Sequence, residues 1–136
     1  MAISNIGGGS QIGDGNLNEV ILTPVPAPQT ATATATLSVA QITSGILLGS
    51  PGASAASYTL PTAASLDAAL GNAKVGSSFD LAVVNVDGSS SGVITLVAGT
   101  GWSTVGLLTV VATAGTAQAF RARKTGDAAW TLYRIA

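Results

Sequence analysis

The sequence predicts a mainly β fold: a compact β-sandwich or barrel-like domain with one short helix, preceded by an extended N-terminal arm. Three observations carry this expectation. From about residue 36, short apolar runs recur roughly every eight to twelve residues, separated by Gly-, Ser- and Asp-rich turns. One stretch alone, around 62–71, carries both start and stop signals for a helix. Residues 1–35 show no pattern that buries a core of their own. A chain of 136 residues suffices for one domain, so the division is an arm over 1–35 and a β-rich assembly domain over 36–136.

In the arm, Gly7-Gly8-Gly9-Ser10 and Gly13-Asp14-Gly15-Asn16 are flexible or turn-forming. The apolar triplet Val20-Ile21-Leu22 follows. Pro24-Val25-Pro26-Ala27-Pro28 then favours an extended, polyproline-like path, and Thr30 to Thr36 alternates Thr with Ala. Such a segment is either disordered or becomes ordered on a partner. The apolar triplet favours the second, because a tail that touched nothing has little use for it.

Leu37, Val39 and Gln41 alternate with Ser38, Ala40 and Ile42, which reads as a first strand. Ile46-Leu47-Leu48 is a second, ended by the turn Gly49-Ser50-Pro51-Gly52. Ser57 to Leu60 is a third. Thr62 then caps a helix over 63–70, with Leu66 and Leu70 one turn apart and Gly71 at the position after its end. The C-terminal half reads as a strand meander. Its strands are Phe79–Val86, a hairpin loop over 87–92, Val93–Val97, a stretch from Trp102, an apolar central strand Val105–Ala112, Gln118–Lys124 and Trp130–Ile135. Phe79, Trp102, Phe120 and Trp130 are the large members of a core otherwise built from small residues. Such a domain is marginal alone, so a homo-oligomer is expected.

Composition narrows function. Hydrophobic residues make up 47% of the chain and charged residues 8%, against roughly 25% charged in ordinary globular proteins. A surface so poor in charge suits a protein packed against neighbours. Net charge is −1, which argues against nucleic-acid binding. Four of the five cations, Arg121, Arg123, Lys124 and Arg134, fall close to the C-terminus and make at most a small basic patch. Arg121 and Arg123 lie two apart on one strand face. They fit either an acidic partner surface or a solvated edge.

The chain has no His and no Cys. The commonest general base, zinc ligand sets and the usual nucleophile–His pairs are therefore lacking, and neither cofactor nor metal is expected. Of the six acids, Asp14, Glu19, Asp67, Asp80, Asp87 and Asp127, only Asp80 and Asp87 bracket one strand in a way that resembles a glycosidase pair. Asp87 and Asp127 adjoin Gly in turns, where Asp serves the backbone. Gly99-Thr100-Gly101 lacks the Lys and helix of a phosphate loop. No secretory signal and no membrane-spanning run are read, which places synthesis in a cytoplasm. The expectation is a non-enzymatic protein with no membrane partner.

From Tyr58 onward the phrases YTLPTAASLDAALGNAKVGSSFDLAVVN, ITLVAGTGWSTVGLLTV, AFRARKTG and AWTLYRIA resemble a module of structural proteins of tailed bacteriophages. It is found in small capsid decoration (cement) proteins and in some head- or tail-fibre proteins. The resemblance covers about 58–136 and leaves the arm uncovered. It implies a compact β-rich trimer, assembled in the host cytoplasm and seated on the capsid surface of the virion. Its partners would be the major capsid protein and its own copies. The arm, above all Val20, Ile21, Leu22, Pro24, Val25 and Pro26, would lie along capsid subunits, with Arg121 and Arg123 as further partner-binding residues. The expected function is stabilisation of the expanded shell. The alternatives are a fibre or receptor-binding module contacting a host surface ligand, and a cell-wall hydrolase using Asp80 or Asp87.

Overall fold

The computed structural model describes Leu22 and residues 24–136. Ten strands and two short helices follow one another as β1 (Gln29–Ala31), β2 (Ala35–Thr36), α1 (Val39–Thr43), β3 (Ile46–Gly49), β4 (Ala56–Thr59), α2 (Ala63–Ala69), β5 (Ser78–Asn85), β6 (Ile94–Val97), β7 (Trp102–Val105), β8 (Thr109–Val110), β9 (Thr116–Gly126) and β10 (Ala129–Arg134). They form two sheets, a six-stranded one in the order β1-β3-β5-β9-β10-β7 and a four-stranded one in the order β2-β4-β6-β8. The fold is mainly β and sandwich-like.

The first six strands alternate between the sheets. β1, β3 and β5 run parallel in one, and β2, β4 and β6 run parallel in the other. Parallel neighbours require a crossover, and here each crossover passes through the opposite sheet. The expected meander is corrected accordingly. The loop over 87–92 is no hairpin loop but a corner that carries the chain from β5 in one sheet to β6 in the other. The true hairpin is β9–β10, antiparallel and closed by Asp127 and Ala128.

Inward side chains from both sheets make one core. Leu47, Leu81, Val83, Phe120, Ala122, Trp130 and Leu132 come from the larger sheet, and Tyr58, Ile94, Leu96 and Val110 from the smaller. Trp102 and Trp130 pack with ring centroids 6.1 Å apart. Phe79 is only partly buried, at the margin. Gly49 marks a close approach of the layers: a Cβ there would collide with Ile94 Cδ1 and crowd the Tyr58 ring.

Three sequence expectations are revised. Residues 37–42 do not form a strand. Ser38 Oγ accepts from Gln41 N at 3.2 Å and Gln41 Oε1 accepts from Ser38 N at 2.8 Å, a capping box that starts α1. The fold therefore has two short helices, not one. Val105–Ala112 is not a central strand. Gly106 adopts φ +96°, and the run divides into β7 at the edge of one sheet and β8 at the edge of the other. The arm ends earlier than residue 35, because β1 and β2 supply a strand to each sheet. α2 forms as expected, with Thr62 Oγ1 accepting from Ser65 N at 3.2 Å. Gly71 follows its last cap residue, Leu70, without a positive φ.

Candidate functional site

The arm leaves the domain from a fixed point. Tyr58, fully buried, donates its hydroxyl to the carbonyls of Ala31 and Thr32 at 3.0 and 2.8 Å, and burial raises its pKa. Gln41 Nε2 donates to Thr30 O at 2.7 Å. These bonds lock β1 onto the sheet edge. Before it, Pro24 and Pro26 are exposed, and Leu22 and Val25 are the most exposed large apolar residues, at 83% and 73%. Val20 and Ile21 lie outside the described residues.

The four C-terminal cations do not form one patch. Arg121 sits directly across from Asp80 and grips it with two bonds, Nε–Oδ1 at 2.7 Å and Nη2–Oδ2 at 3.1 Å. The Arg121 hydrogen bonds hold the Asp80 carboxyl below its ordinary value, and Asp80 in turn raises Arg121. Arg123 is exposed, opposite Ser78 and Thr131, and makes no ion pair among the described residues. Both arginines stand on the open face of β9, which lies inside the sheet, so the expectation of a solvated edge is corrected to a solvated face. Lys124 points the other way, into the domain, and is only 7% exposed. Arg134 reaches Leu107 O at 3.5 Å.

Lys124 belongs to a latch centred on Asp67 of α2. Asp67 Oδ2 accepts from Lys124 Nζ at 2.9 Å and from Ala128 N at 2.7 Å. Its Oδ1 accepts from Trp130 Nε1 at 2.8 Å. The three donors, Lys124 first, bring the Asp67 pKa down to about 2. Sequence reasoning missed this group, whose members are far apart in the chain; an acid on the core-facing side of a helix was the one available signal. An amine against a carboxylate is the geometry for amide formation, but an ionised carboxylate is a poor electrophile. The arrangement is an ion pair that fastens a helix to a hairpin.

Asp80 and Asp87 do not converge. They lie seven residues apart along an extended strand and its exit, roughly 20 Å, far beyond the roughly 5–9.5 Å that separates glycosidase carboxylates. Asp87 instead accepts from Ser50 Oγ at 2.7 Å and Gly52 N at 3.0 Å, which hold its pKa below the ordinary value. Next to it, buried Asn85 donates to Gly92 O and Val111 O at 2.9 and 3.0 Å and accepts from Gly88 N at 2.7 Å. This corner is architectural. Among the described residues, no group of three or more His, Cys, Asp or Glu side chains converges to hold a metal, and no helix is long and apolar enough to cross a membrane.

The two sheets present different outer faces. Outward residues of the four-stranded sheet are Ser57, Thr59, Thr95 and Thr109 with Val97, the polar-out pattern usual for a solvated sheet. On the six-stranded sheet, Ile46, Ala82 and Ala119 line up in one row and Leu48, Val84 and Ala117 in the next. These two rows make an apolar patch, whereas the rest of that face is polar, with the Asp80–Arg121 pair and with Ser78, Arg123 and Thr131 in one row. Val105, the last residue of β7, and Leu107 beyond it are also exposed. A cleft of about 290 Å³ opens between α2 and β5, floored by Leu70, Ala73, Phe79 and Trp130 with Ser77 and Ser78 at its rim. The Phe79 and Trp130 rings lie 5.7 Å apart, tilted by 56°. No family model, curated protein or solved structure matches the chain.

Proposed function

We propose that this chain is a structural virion protein that binds the outside of a phage capsid as a trimer and stabilises the expanded shell. The observation that carries the reading is apolar surface left uncovered where a single chain has nothing to cover it. It comprises the patch of Ile46, Leu48, Ala82, Val84, Ala117 and Ala119 on the outer face of the six-stranded sheet, with Leu22 and Val25 on the arm. Solvated sheet faces are ordinarily polar, and contiguous exposed apolar area marks protein contacts. The phage-module resemblance of residues 58–136 supplies the partner, the major capsid protein, and the setting, the capsid surface. Arg123, free of a partner among the described residues, suits an acidic group on that surface.

In this reading the arm extends from its anchor at β1 along neighbouring capsid subunits. Extended backbone adds to exposed strand edges, and three arms per trimer multiply a weak contact. The receptor-binding alternative would be favoured by exposed aromatics; Trp102, Trp130, Tyr58 and Phe120 are buried, and Phe79 and Tyr133 are partly exposed. The arm is tested by deleting residues 1–28, which spares β1 and β2 and so leaves both sheets intact. Binding to capsids is expected to fall at least tenfold with the thermal transition unchanged; full retention of binding would remove the arm from the account.

A further inference from the structure

We propose that the cleft between α2 and β5 binds an acidic sugar, with the sugar ring over Phe79 and its carboxylate on Arg123. The inference stands apart from the capsid reading. It concerns a small ligand, shares only Arg123 with that reading, and is tested without a capsid.

The cleft is built from the chain on either side of one turn. Leu70, Asn72 and Ala73 follow α2, and Ser77 and Ser78 lead into β5. The turn is closed by Ser77, whose Oγ accepts from Lys74 N at 3.0 Å and whose N–H donates to Lys74 O at 2.8 Å. Asp67 fixes the floor by accepting from Trp130 Nε1 at 2.8 Å. Trp130 is almost wholly buried and backs Phe79, which is only partly covered. The aromatic surface open to a ligand is therefore that of Phe79.

Size and lining select the body of the ligand. At about 290 Å³ the cleft lies at the lower end of the roughly 300–1,000 Å³ of ligand pockets, room for one ring and not for a chain. The C–H face of a pyranose is apolar and packs on an aromatic face, whose quadrupole is negative. The ring's hydroxyls need partners where water is displaced. The exposed Asn72 amide both donates and accepts, and the Ser77 hydroxyl keeps its proton free of the bond from Lys74 N. A flat aromatic ligand would leave both groups idle.

Charge selects the carboxylate. No charged side chain lines the cleft itself, but two cations stand next to its rim. Arg123 is directly across from the lining residue Ser78, and its Nη2 lies 3.8 Å from where a Cβ on Gly76 would be. Lys74, exposed, lies in the turn between Ala73 and Ser77. Neither makes an ion pair among the described residues, whereas the acids on the adjoining elements, Asp67 and Asp80, are matched by Lys124 and Arg121. A guanidinium takes a carboxylate through two parallel bonds. Cross-strand neighbours stand about 5 Å apart, which a carboxylate on the ring can span.

The test is an NMR titration of the isotope-labelled full-length chain with sodium glucuronate, glucose and benzoate. Glucuronate is expected to bind roughly tenfold more tightly than glucose, to weaken as salt rises, and to shift the signals of Asn72, Ala73, Ser77 and Ser78. Benzoate, which has the charge but no hydroxyls, is expected to bind no better than glucose. Arg123→Ala is expected to bring glucuronate down to the level of glucose. Ala73→Trp, which fills the cleft, is expected to abolish binding of glucuronate. Asn72→Ala, at an exposed position, replaces it should it not fold, and is expected to weaken glucuronate several-fold. No shifts with glucuronate, or shifts confined to another part of the molecule, would overturn the site. So would glucose or benzoate binding as tightly as glucuronate, or an Arg123→Ala variant that keeps its preference.

Discussion

Asp67 takes hydrogen bonds from the Lys124 amine, the Trp130 indole and the Ala128 N–H, and so ties α2 to both strands and the turn of the β9–β10 hairpin. Its carboxyl titrates near 3.8 when unperturbed and at about 2 in the folded protein. Between those values the unfolded chain binds more protons, so stability rises with pH across that window. The contribution is complete above the unfolded value and is lost as pH falls towards 2. Asp67→Asn is expected to lower the melting temperature at neutral pH, because Lys124 keeps its burial and loses its counter-charge. The variant should also show a flatter loss of stability between pH 4 and 2. Melting curves at several pH values check this, and superimposable acid limbs would contradict it. Asn85 has a comparable role at the other end of β5. Asn85→Ala strands the Gly92 and Val111 carbonyls and the Gly88 N–H inside the protein, at a cost of about 3 kcal/mol, measurable by urea denaturation.

At the scale of elements, α1 tests how far a local signal decides structure. Its five residues are held by the reciprocal Ser38–Gln41 bonds, and Ser38→Ala is expected to cost about 1 kcal/mol. Unchanged urea stability would show that packing of Ile42 alone holds the turn. The Ser-x-x-Gln signature was present in the sequence, but period-two alternation over the same six residues argued for a strand. Leu37 and Ile42 are both buried because they flank the cap, and alternation along a strand has no part in it. α2 was legible because Thr62, Leu66 and Leu70 agree with one another. β5, β9 and β10 were legible because long alternating runs leave little choice. The parallel winding was not. Periodicity says which side chains face inward but not which strand lies beside which, so short runs separated by turns read equally well as hairpins. β1 and β2 were hidden in a Thr-Ala repeat whose pairing depends on Tyr58 and Gln41, far along the chain. The cleft was invisible for the same reason, since it depends on where α2 comes to lie against β5.

For the whole molecule, the parts combine into a two-sheet domain with a polar outer face on one sheet, an apolar patch beside a polar one on the outer face of the other, and an arm leaving from the β1 edge of the larger sheet. Latches at Asp67 and Asp87 hold helix and corners in place. A chain with 8% charged residues has little to keep it apart from its neighbours, and the account assigns that property to assembly. The most direct measurement is co-sedimentation of the purified protein with undecorated capsids, both unexpanded and expanded, with bound copies counted. Saturable binding to expanded shells alone, at three copies per site, is expected. Absence of binding to either form, or equal binding to both, would contradict it.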